Sequence, residues 1–180
     1  DIEPFIIPLN EDFTINTSRF CYQNKLVVIA NPNAPTGIEL PLSEIEKIIV
    51  SNPDNVVVVD EAYVDFGGTS AVELTKKYKN LLVCQTFSKS RSMAGARLGF
   101  AIADKEIIAD LEKIKYSTNP YNINRLTQVA GLAAVEENAY YVDNCKKIME
   151  NRDFTVKDLK HSDLRCSHPR QTLFLQNQIK

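Results

Sequence analysis

The sequence predicts an α/β fold with a central, mostly parallel sheet and flanking helices. Two observations support this fold class. Short apolar runs typical of buried strands alternate with helical segments, and irregular polar loops follow several of those runs. The strand candidates are residues 25–29, 56–59, 81–84 and 100–103. Ligands of such sheets bind at the carboxyl ends of the strands, so the loops there are the first candidates for function.

The first helix is predicted after Pro41, because Ser43 as N-cap and Glu46 three residues later have the spacing of a capping box. Three isoleucines would form its buried face: Ile45, Ile48 and Ile49. Residues 105–114 repeat that spacing with four apolar side chains: Ile107, Ile108, Leu111 and Ile114.

Two further helical segments complete the pattern. Residues 71–77 predict a short helix, and residues 124–159 predict a nearly continuous helix with a break near Glu137. The rest of the chain, including the apolar run 173–175, predicts the start of a smaller α/β domain.

Composition limits the function classes. The chain has 180 residues, 44% of them hydrophobic, which is enough to bury a core. Its 21 basic and 23 acidic residues leave a net charge of −2, so we expect no nucleic-acid partner and no membrane partner. No apolar run approaches the roughly 18 residues that cross a bilayer.

The cysteines and histidines indicate neither a disulfide framework nor a metal site. Four cysteines are widely spaced: Cys21, Cys84, Cys145 and Cys166. Reduced thiols in a cytoplasmic protein are therefore favoured over disulfides. The two histidines, His161 and His168, are too few for a metal site, so none is expected.

The loop after residues 81–84 places a lysine among hydroxyl groups. Lys89 lies between two apolar strands, where an amine can lose its proton at low cost and form a Schiff base with a carbonyl group. The hydroxyl groups of Thr86 and Ser88 and the guanidinium of Arg97 suit a bound phosphate. The pattern indicates a pyridoxal phosphate site, although a surface loop with scattered positive charge has the same composition.

The valine run 56–59 predicts a strand buried on both faces. Asp60 follows at its carboxyl end, where a buried carboxylate needs a cationic partner. A protonated pyridine nitrogen would be such a partner, and Tyr63 could reach the phenolate oxygen of the same ring. The alternative is an aspartate that caps a turn at the end of the strand.

The same run is also typical of the acidic strand of a P-loop ATPase. That function needs a G-x-x-x-x-G-K-[ST] loop upstream. Residues 67–70 contain two glycines but no lysine, and Lys89 follows no glycine-rich turn. The sequence therefore argues against a P-loop.

A third loop, residues 31–37, follows the strand 25–29. Its two prolines and its glycine fix an irregular backbone at the strand's carboxyl end. Its asparagines can donate hydrogen bonds to a ligand oxygen. Taken alone, this loop is a turn.

In their order and spacing, the three loops resemble the cofactor motifs of the fold-type-I aminotransferases. The sequence is similar to the histidinol-phosphate aminotransferase family, with further similarity at residues 8–13 and 119–124. The resemblance covers nearly the whole chain and weakens after about Asn151. It implies that residues 1–150 form a truncated pyridoxal phosphate-binding large domain and that residues 151–180 begin the small domain.

The resemblance also implies a role for each matching residue. Lys89 would hold pyridoxal phosphate covalently and later move the proton of the substrate. Asp60 would pair with the pyridine nitrogen, and Tyr63 would contact the phenolate oxygen. Three residues would hold the phosphate: Thr86, Ser88 and Arg97.

One position departs from the family pattern. Many relatives have an asparagine just before the Pro-Thr-Gly sequence, where it donates to the phenolate oxygen, whereas this chain has Ala34. Alanine has no amide to donate. Either Asn33 substitutes for it, or Tyr63 alone holds that oxygen.

The implied reaction transfers the amino group of histidinol phosphate to 2-oxoglutarate in histidine biosynthesis. The implied parent protein is a cytoplasmic homodimer whose other partners are a small-molecule amino donor and a 2-oxo acid. A threonine-phosphate decarboxylase would need the same Lys89 and Asp60 and stays open, as does an inert α/β domain. The chain begins at Asp1 and shows no candidate for other family motifs, so we expect a central piece of an aminotransferase, inactive alone.

Overall fold

The computed structural model describes residues 3–121 and 123–159. Within them, strands form one sheet in the order β1-β2-β3-β4. The strands are β1 (Val27–Ala30), β2 (Val57–Asp60), β3 (Leu81–Thr86) and β4 (Gly99–Ala103). The first three are parallel, and β4 runs antiparallel to β3. The predicted α/β class with a mostly parallel sheet is confirmed.

Helices flank this sheet. The described α-helices are α1 (Leu42–Ser51), α2 (Lys105–Thr118), α3 (Arg125–Glu136) and α4 (Asn138–Leu159). Short 3-10 helices are Thr17–Phe20, Val64–Phe66, Ala71–Lys76 and Ala94–Ala96. The predicted break near Glu137 is confirmed, and the helix predicted at residues 71–77 is a 3-10 helix.

The predicted domain boundary after residue 150 falls inside α4, which continues without interruption to Leu159. The apolar run 173–175, His161, His168 and Cys166 lie outside the described residues. The start of a smaller domain at residues 151–180 therefore stays a prediction.

The core forms where the sheet register aligns apolar side chains. Val57 pairs with Val27 and Leu81, and Val59 pairs with Ile29 and Val83. All six are buried and share one cluster with the isoleucines of α1. On the opposite face, Val28 is exposed and Val58 is half-buried, so β2 is less covered there than the valine run predicted.

The capping box predicted at the start of α1 is wrong. The helix begins at Leu42 with Pro41 as its N-cap, and no side chain caps it. Ser43 is exposed in the first turn. The carboxylate of Glu46 accepts hydrogen bonds from Lys77 Nζ and Tyr78 Oη, both at 2.6 Å, and so ties α1 to a distant segment.

The inward face predicted for α2 is also wrong in part. The helix exists, with Asp104 accepting a hydrogen bond from the backbone N–H of Glu106 at its N-cap. However, α2 contains no buried residue: Leu111 is 40% exposed and Ile114 is 60% exposed.

The described cysteines Cys21, Cys84 and Cys145 are free thiols. Burial raises the pKa of Cys84 and of Cys145 above the ordinary thiol value, because it disfavours the thiolate. Across residues 3–121 and 123–159, no helix is long and apolar enough to cross a membrane. The same residues hold no cluster of three or more potential metal ligands.

Candidate functional site

The carboxyl ends of the three parallel strands bring the sequence-predicted loops to one edge of the sheet. Ala30, Asp60 and Cys84 occupy the same register position on β1, β2 and β3. The loop 31–37 follows the first of them, and Thr86 ends β3 two residues beyond Cys84. This edge is where an α/β sheet binds ligands.

Asp60 is exposed at the end of β2. Its Oδ1 accepts a hydrogen bond from the backbone N–H of Ala62 at 3.0 Å, so the carboxylate caps the turn that follows the strand. Its negative charge adds to burial in raising the pKa of Cys84. The turn-capping contact uses Oδ1 and leaves the carboxylate accessible from solvent.

Lys89 and Tyr63 are neighbours. Lys89 is exposed, and its Nζ lies 5.0 Å from the centroid of the Tyr63 ring. Tyr63 is half-buried, and its ring packs at 6.3 Å from that of Phe66. The structure therefore brings the amine of the β3–β4 loop to the aromatic residue that follows β2, 26 positions earlier in the chain.

The hydroxyl groups of Thr86 and Ser88 form a hydrogen-bonded pair. Thr86 Oγ1 lies 2.9 Å from Ser88 Oγ and accepts from the backbone N–H of Ser88 at 3.1 Å. Thr86 Oγ1 also lies 3.3 Å from the carbonyl oxygen of Leu98, on the chain that returns toward β4. Two hydroxyl groups and a backbone N–H thus sit together beside Lys89.

Arg97 lies next to Leu98 but directs its guanidinium elsewhere. Its Nη1 donates to the carbonyl oxygen of Ala94 at 3.2 Å, within its own exposed turn. Its backbone has a φ of 54°, the left-handed region that non-glycine residues seldom adopt. The backbone of Arg97 therefore lies near the Thr86–Ser88 hydroxyl pair, but its guanidinium contacts Ala94 instead of that pair.

The side chain of Asn33 organises its own loop. Its Nδ2 donates to Thr36 Oγ1 at 2.7 Å, and the backbone carbonyl oxygen of Asn33 accepts from the N–H of Gly37 at 2.7 Å. Asn31, which sequence reasoning did not single out, is 1% exposed and bonds both backbone groups of Leu40. The asparagines therefore shape this loop, and the amide of Asn33 bonds within it.

Glu61 is a second residue that sequence reasoning missed. It is 1% exposed, although it is a carboxylate directly after Asp60. Three donors surround it: Ser70 Oγ at 2.6 Å, the N–H of Ala71 at 2.6 Å and Gln85 Nε2 at 2.8 Å. Such contacts offset the cost of burying a charge. Because Gln85 directly precedes Thr86, this network fixes the ends of β2 and β3 relative to each other.

These groups fit pyridoxal phosphate in kind, and they follow neighbouring strand ends of one sheet. An exposed amine can react with its aldehyde, and an exposed carboxylate at the neighbouring strand end can pair with a pyridinium. The Ser88 hydroxyl, which accepts from Thr86 Oγ1, keeps its own proton to donate to a phosphate. The structure places Lys89, Tyr63, Asp60, Thr86 and Ser88 at one edge.

Comparison with known sequences identifies the aminotransferase family. The family model of the class I and II aminotransferases matches residues 1–180. The histidinol-phosphate aminotransferase of Acinetobacter baumannii (strain AYE) is 53% identical over 153 residues, which is 85% of this chain and 42% of that protein.

Two solved structures share the fold. The histidinol-phosphate aminotransferase of Sinorhizobium meliloti, in complex with pyridoxal-5'-phosphate, has a TM-score of 0.72 at 25% identity, covering 81% of this chain and 40% of that one. The L-threonine-O-3-phosphate decarboxylase of Porphyromonas gingivalis has a TM-score of 0.67 at 25% identity, covering 77% and 42%. The chain spans less than half the length of the curated relatives it matches.

Proposed function

Since the chain belongs to the class I and II aminotransferases, we propose that the complete protein moves the amino group of histidinol phosphate to 2-oxoglutarate. The grouping of Lys89, Tyr63 and Asp60 at one sheet edge carries this proposal. The substrate is proposed from the name of the 53% identical relative. The proposed setting is histidine biosynthesis in the cytoplasm, by a homodimer whose other partners are small molecules.

Pyridoxal phosphate, when bound, supplies an aldehyde for amine capture and a ring that withdraws electrons from the substrate. Lys89 Nζ would hold it covalently and, once released, would take the proton from the substrate's α carbon and return it. Its exposure and its place beside Tyr63 support this role. A positioned general base of this kind contributes about 10²–10⁴ in rate.

The remaining residues would bind and orient the group. Asp60 would hold the pyridine nitrogen in its protonated form, since a carboxylate stabilises a nearby cation. Tyr63 would donate a hydrogen bond from its hydroxyl group to the phenolate oxygen. Three residues would hold the phosphate: Thr86, Ser88 and Arg97. For Arg97 this requires the guanidinium to leave the carbonyl of Ala94.

The second candidate is decarboxylation of a phosphorylated amino acid, which the structural match to the threonine-phosphate decarboxylase favours. Both functions use the same lysine and carboxylate. They differ in product, so one assay on the complete protein separates them. We expect glutamate to form from histidinol phosphate and 2-oxoglutarate, and no carbon dioxide to be released from O-phosphothreonine.

Lys89→Ala tests the role of the lysine in the same protein. Wild-type protein should form a borohydride-stable adduct with pyridoxal phosphate on the peptide that contains Lys89, and Lys89→Ala should form none. Lys105→Ala, at an exposed lysine on α2, is the matched control and should keep the adduct. An adduct that maps to Lys76 or Lys77 would contradict the assignment.

Asp60→Asn tests the carboxylate. Asparagine can keep the hydrogen bond to the N–H of Ala62 but cannot stabilise a pyridinium charge. We expect a folded protein with weaker pyridoxal phosphate binding and a large loss of kcat. Turnover near the wild-type value would show that Asp60 only caps its turn.

A further inference from the structure

Polar contacts hold the lysine loop on both sides of Lys89. Before it, Ser88 is tied to Thr86. After it, Ser90 is 7% exposed, and its Oγ donates to the carboxylate of Asp65. Lys89 itself is exposed, so its own side chain does little to fix the loop. The position of its amine depends on these neighbours.

The Ser90–Asp65 bond links two parts of the candidate site. Asp65 lies in the 3-10 helix Val64–Phe66, which directly follows Tyr63. The bond therefore ties the segment that carries Tyr63 to the loop that carries Lys89, across 25 positions of sequence. The 5.0 Å approach of Lys89 Nζ to the Tyr63 ring lies next to this tie.

Packing beneath the loop is incomplete. A pocket of about 160 Å³ lies between α4 and the two segments that the Ser90–Asp65 bond joins. Asp65, Ser90 and Arg91 line one side, and the lining from α4 includes Tyr141, Cys145 and Met149. Where a void replaces contact atoms, apolar packing cannot define position. The polar contacts of Ser90 and Arg91 therefore help to hold this side of the loop.

Arg91 supplies the other polar contact on this side. Its Nη2 donates to Asn138 Oδ1 at 2.7 Å, at the start of α4, and its guanidinium carbon lies 5.3 Å from the Tyr141 ring centroid. Arg91 thus attaches the loop to the helix. In the described residues, the side-chain hydrogen bonds of Arg91 go to α3 and α4, whereas that of Ser90 goes to Asp65. Of these contacts, the Ser90–Asp65 bond is the one that attaches the loop to the segment that carries Tyr63.

We propose that Asp65 is a positioning residue for Lys89: by accepting the hydrogen bond of Ser90, it sets the lysine amine against Tyr63. The proposal rests on the proposed function, in which Lys89 holds pyridoxal phosphate. Asp65 itself touches neither cofactor nor substrate in this role. Displacing a reacting group by about 1 Å can cost around 100-fold in rate.

The test measures how fast Lys89 captures pyridoxal phosphate in the complete protein, by adding the cofactor to apo-protein and fixing the adduct with borohydride at timed intervals. Asp65→Ala and Ser90→Ala should each slow capture by about 10- to 100-fold. Asp65→Asn should stay close to wild type, because the asparagine oxygen accepts the same hydrogen bond. The double alanine variant should be no slower than either single variant.

Steady-state kinetics give a second readout. The alanine variants should lose kcat with little change in the KM for the amino donor, since the substrate-binding groups are untouched. Asp143→Ala is the matched control: it removes another exposed carboxylate, from an ion pair with Lys146 on α4, and should leave capture unchanged. If Asp65→Ala does not fold, Ser90→Ala tests the same bond from its other end.

Two failures are distinguishable. If wild-type protein forms no adduct on Lys89, the proposed function fails. If wild-type protein forms it and both alanine variants capture the cofactor at the wild-type rate, the function stands and the positioning role of Asp65 is wrong. Slow capture by Asp65→Asn as well as by Asp65→Ala would also overturn it, because the carboxylate charge and not the bond would then matter.

Discussion

Helices α1 and α2 both have apolar residues at helical spacing, but the apolar face is buried in α1 and exposed in α2. Ile45, Ile48 and Ile49 of α1 are fully buried, whereas Leu111 and Ile114 of α2 are 40% and 60% exposed. Periodicity therefore predicted both helices correctly and predicted burial correctly for only one of them. The difference lies outside the helices themselves.

The layers opposite the two helices explain the difference. The α1 isoleucines share a core with the central strands and with Ala71 at the start of the 3-10 helix Ala71–Lys76. Helix α2 packs against β4, a strand with no buried residue that pairs with β3 in the described part of the sheet. An amphipathic pattern thus indicates which face of a helix can be buried. Whether that face is buried depends on the element that packs against it.

The largest expected effect on stability comes from a substitution that creates a cavity beneath α1. Ile48→Ala should lower the free energy of unfolding of the chain by about 2–5 kcal/mol, because it removes buried methyl groups and leaves a void. Urea denaturation followed by circular dichroism measures it. Val50→Ala, on the exposed face of the same helix, is the control and should change little. A small loss for Ile48→Ala would mean that the α1 face is looser than its burial indicates.

The C-caps of the two helices sharpen the comparison. Asn52 ends α1, is 1% exposed, donates to the carbonyls of Phe20 and Ile48 and accepts from the N–H of Gln23. Asn52→Ala should cost about 1–3 kcal/mol, since it leaves buried groups without partners. Asn119 is the exposed C-cap of α2, and Asn119→Ala measured in the same way should cost much less. Equal losses would remove the distinction between the two helix ends.

The ion pair between Glu46 of α1 and Lys77 predicts that the stability of the fold depends on pH. The hydrogen bond from Lys77, and then that from Tyr78, lower the pKa of Glu46 below its ordinary value near 4.5. A lowered folded-state pKa stabilises the fold above the ordinary value, and this contribution is lost as the pH falls through the lowered one. Glu46→Gln should flatten the acid side of the stability curve slightly, and Lys77→Met should do the same. Unfolding at intervals between about pH 6 and pH 3 measures this.

The smallest expected effect is on α2. Ile114→Ala should change the free energy of unfolding by no more than about 0.5 kcal/mol, as is usual for an exposed substitution. The measurement should be made at two protein concentrations. A large loss that grows with concentration would show that copies of the chain cover this face in solution, and the contrast with α1 would then belong to the single chain alone.

The fold was largely predictable because its signals are local. The valine run of β2 and the break at Glu137 can be read from a few adjacent residues. The capping box failed because the helix begins at Leu42, before Ser43, and because Glu46 bonds Lys77 and Tyr78, more than 30 positions away. No pattern within α1 encodes that partner.

The candidate site divides in the same way. The residues with family motifs, Lys89, Asp60 and Tyr63, were found from the sequence, and the structure places them at one edge, while their roles stay predictions. Asp65 and Glu61 were missed. Their partners lie 9 to 25 positions away, and their importance arises only when the strand ends are side by side.

The left-handed backbone of Arg97 affects which residue is favoured at this position. A non-glycine residue in that region carries a cost of about 1–2 kcal/mol that glycine would avoid. Fold stability alone therefore favours glycine there, while a phosphate-binding role favours the guanidinium. Arg97→Gly would therefore relieve the backbone while removing the guanidinium from the proposed phosphate site.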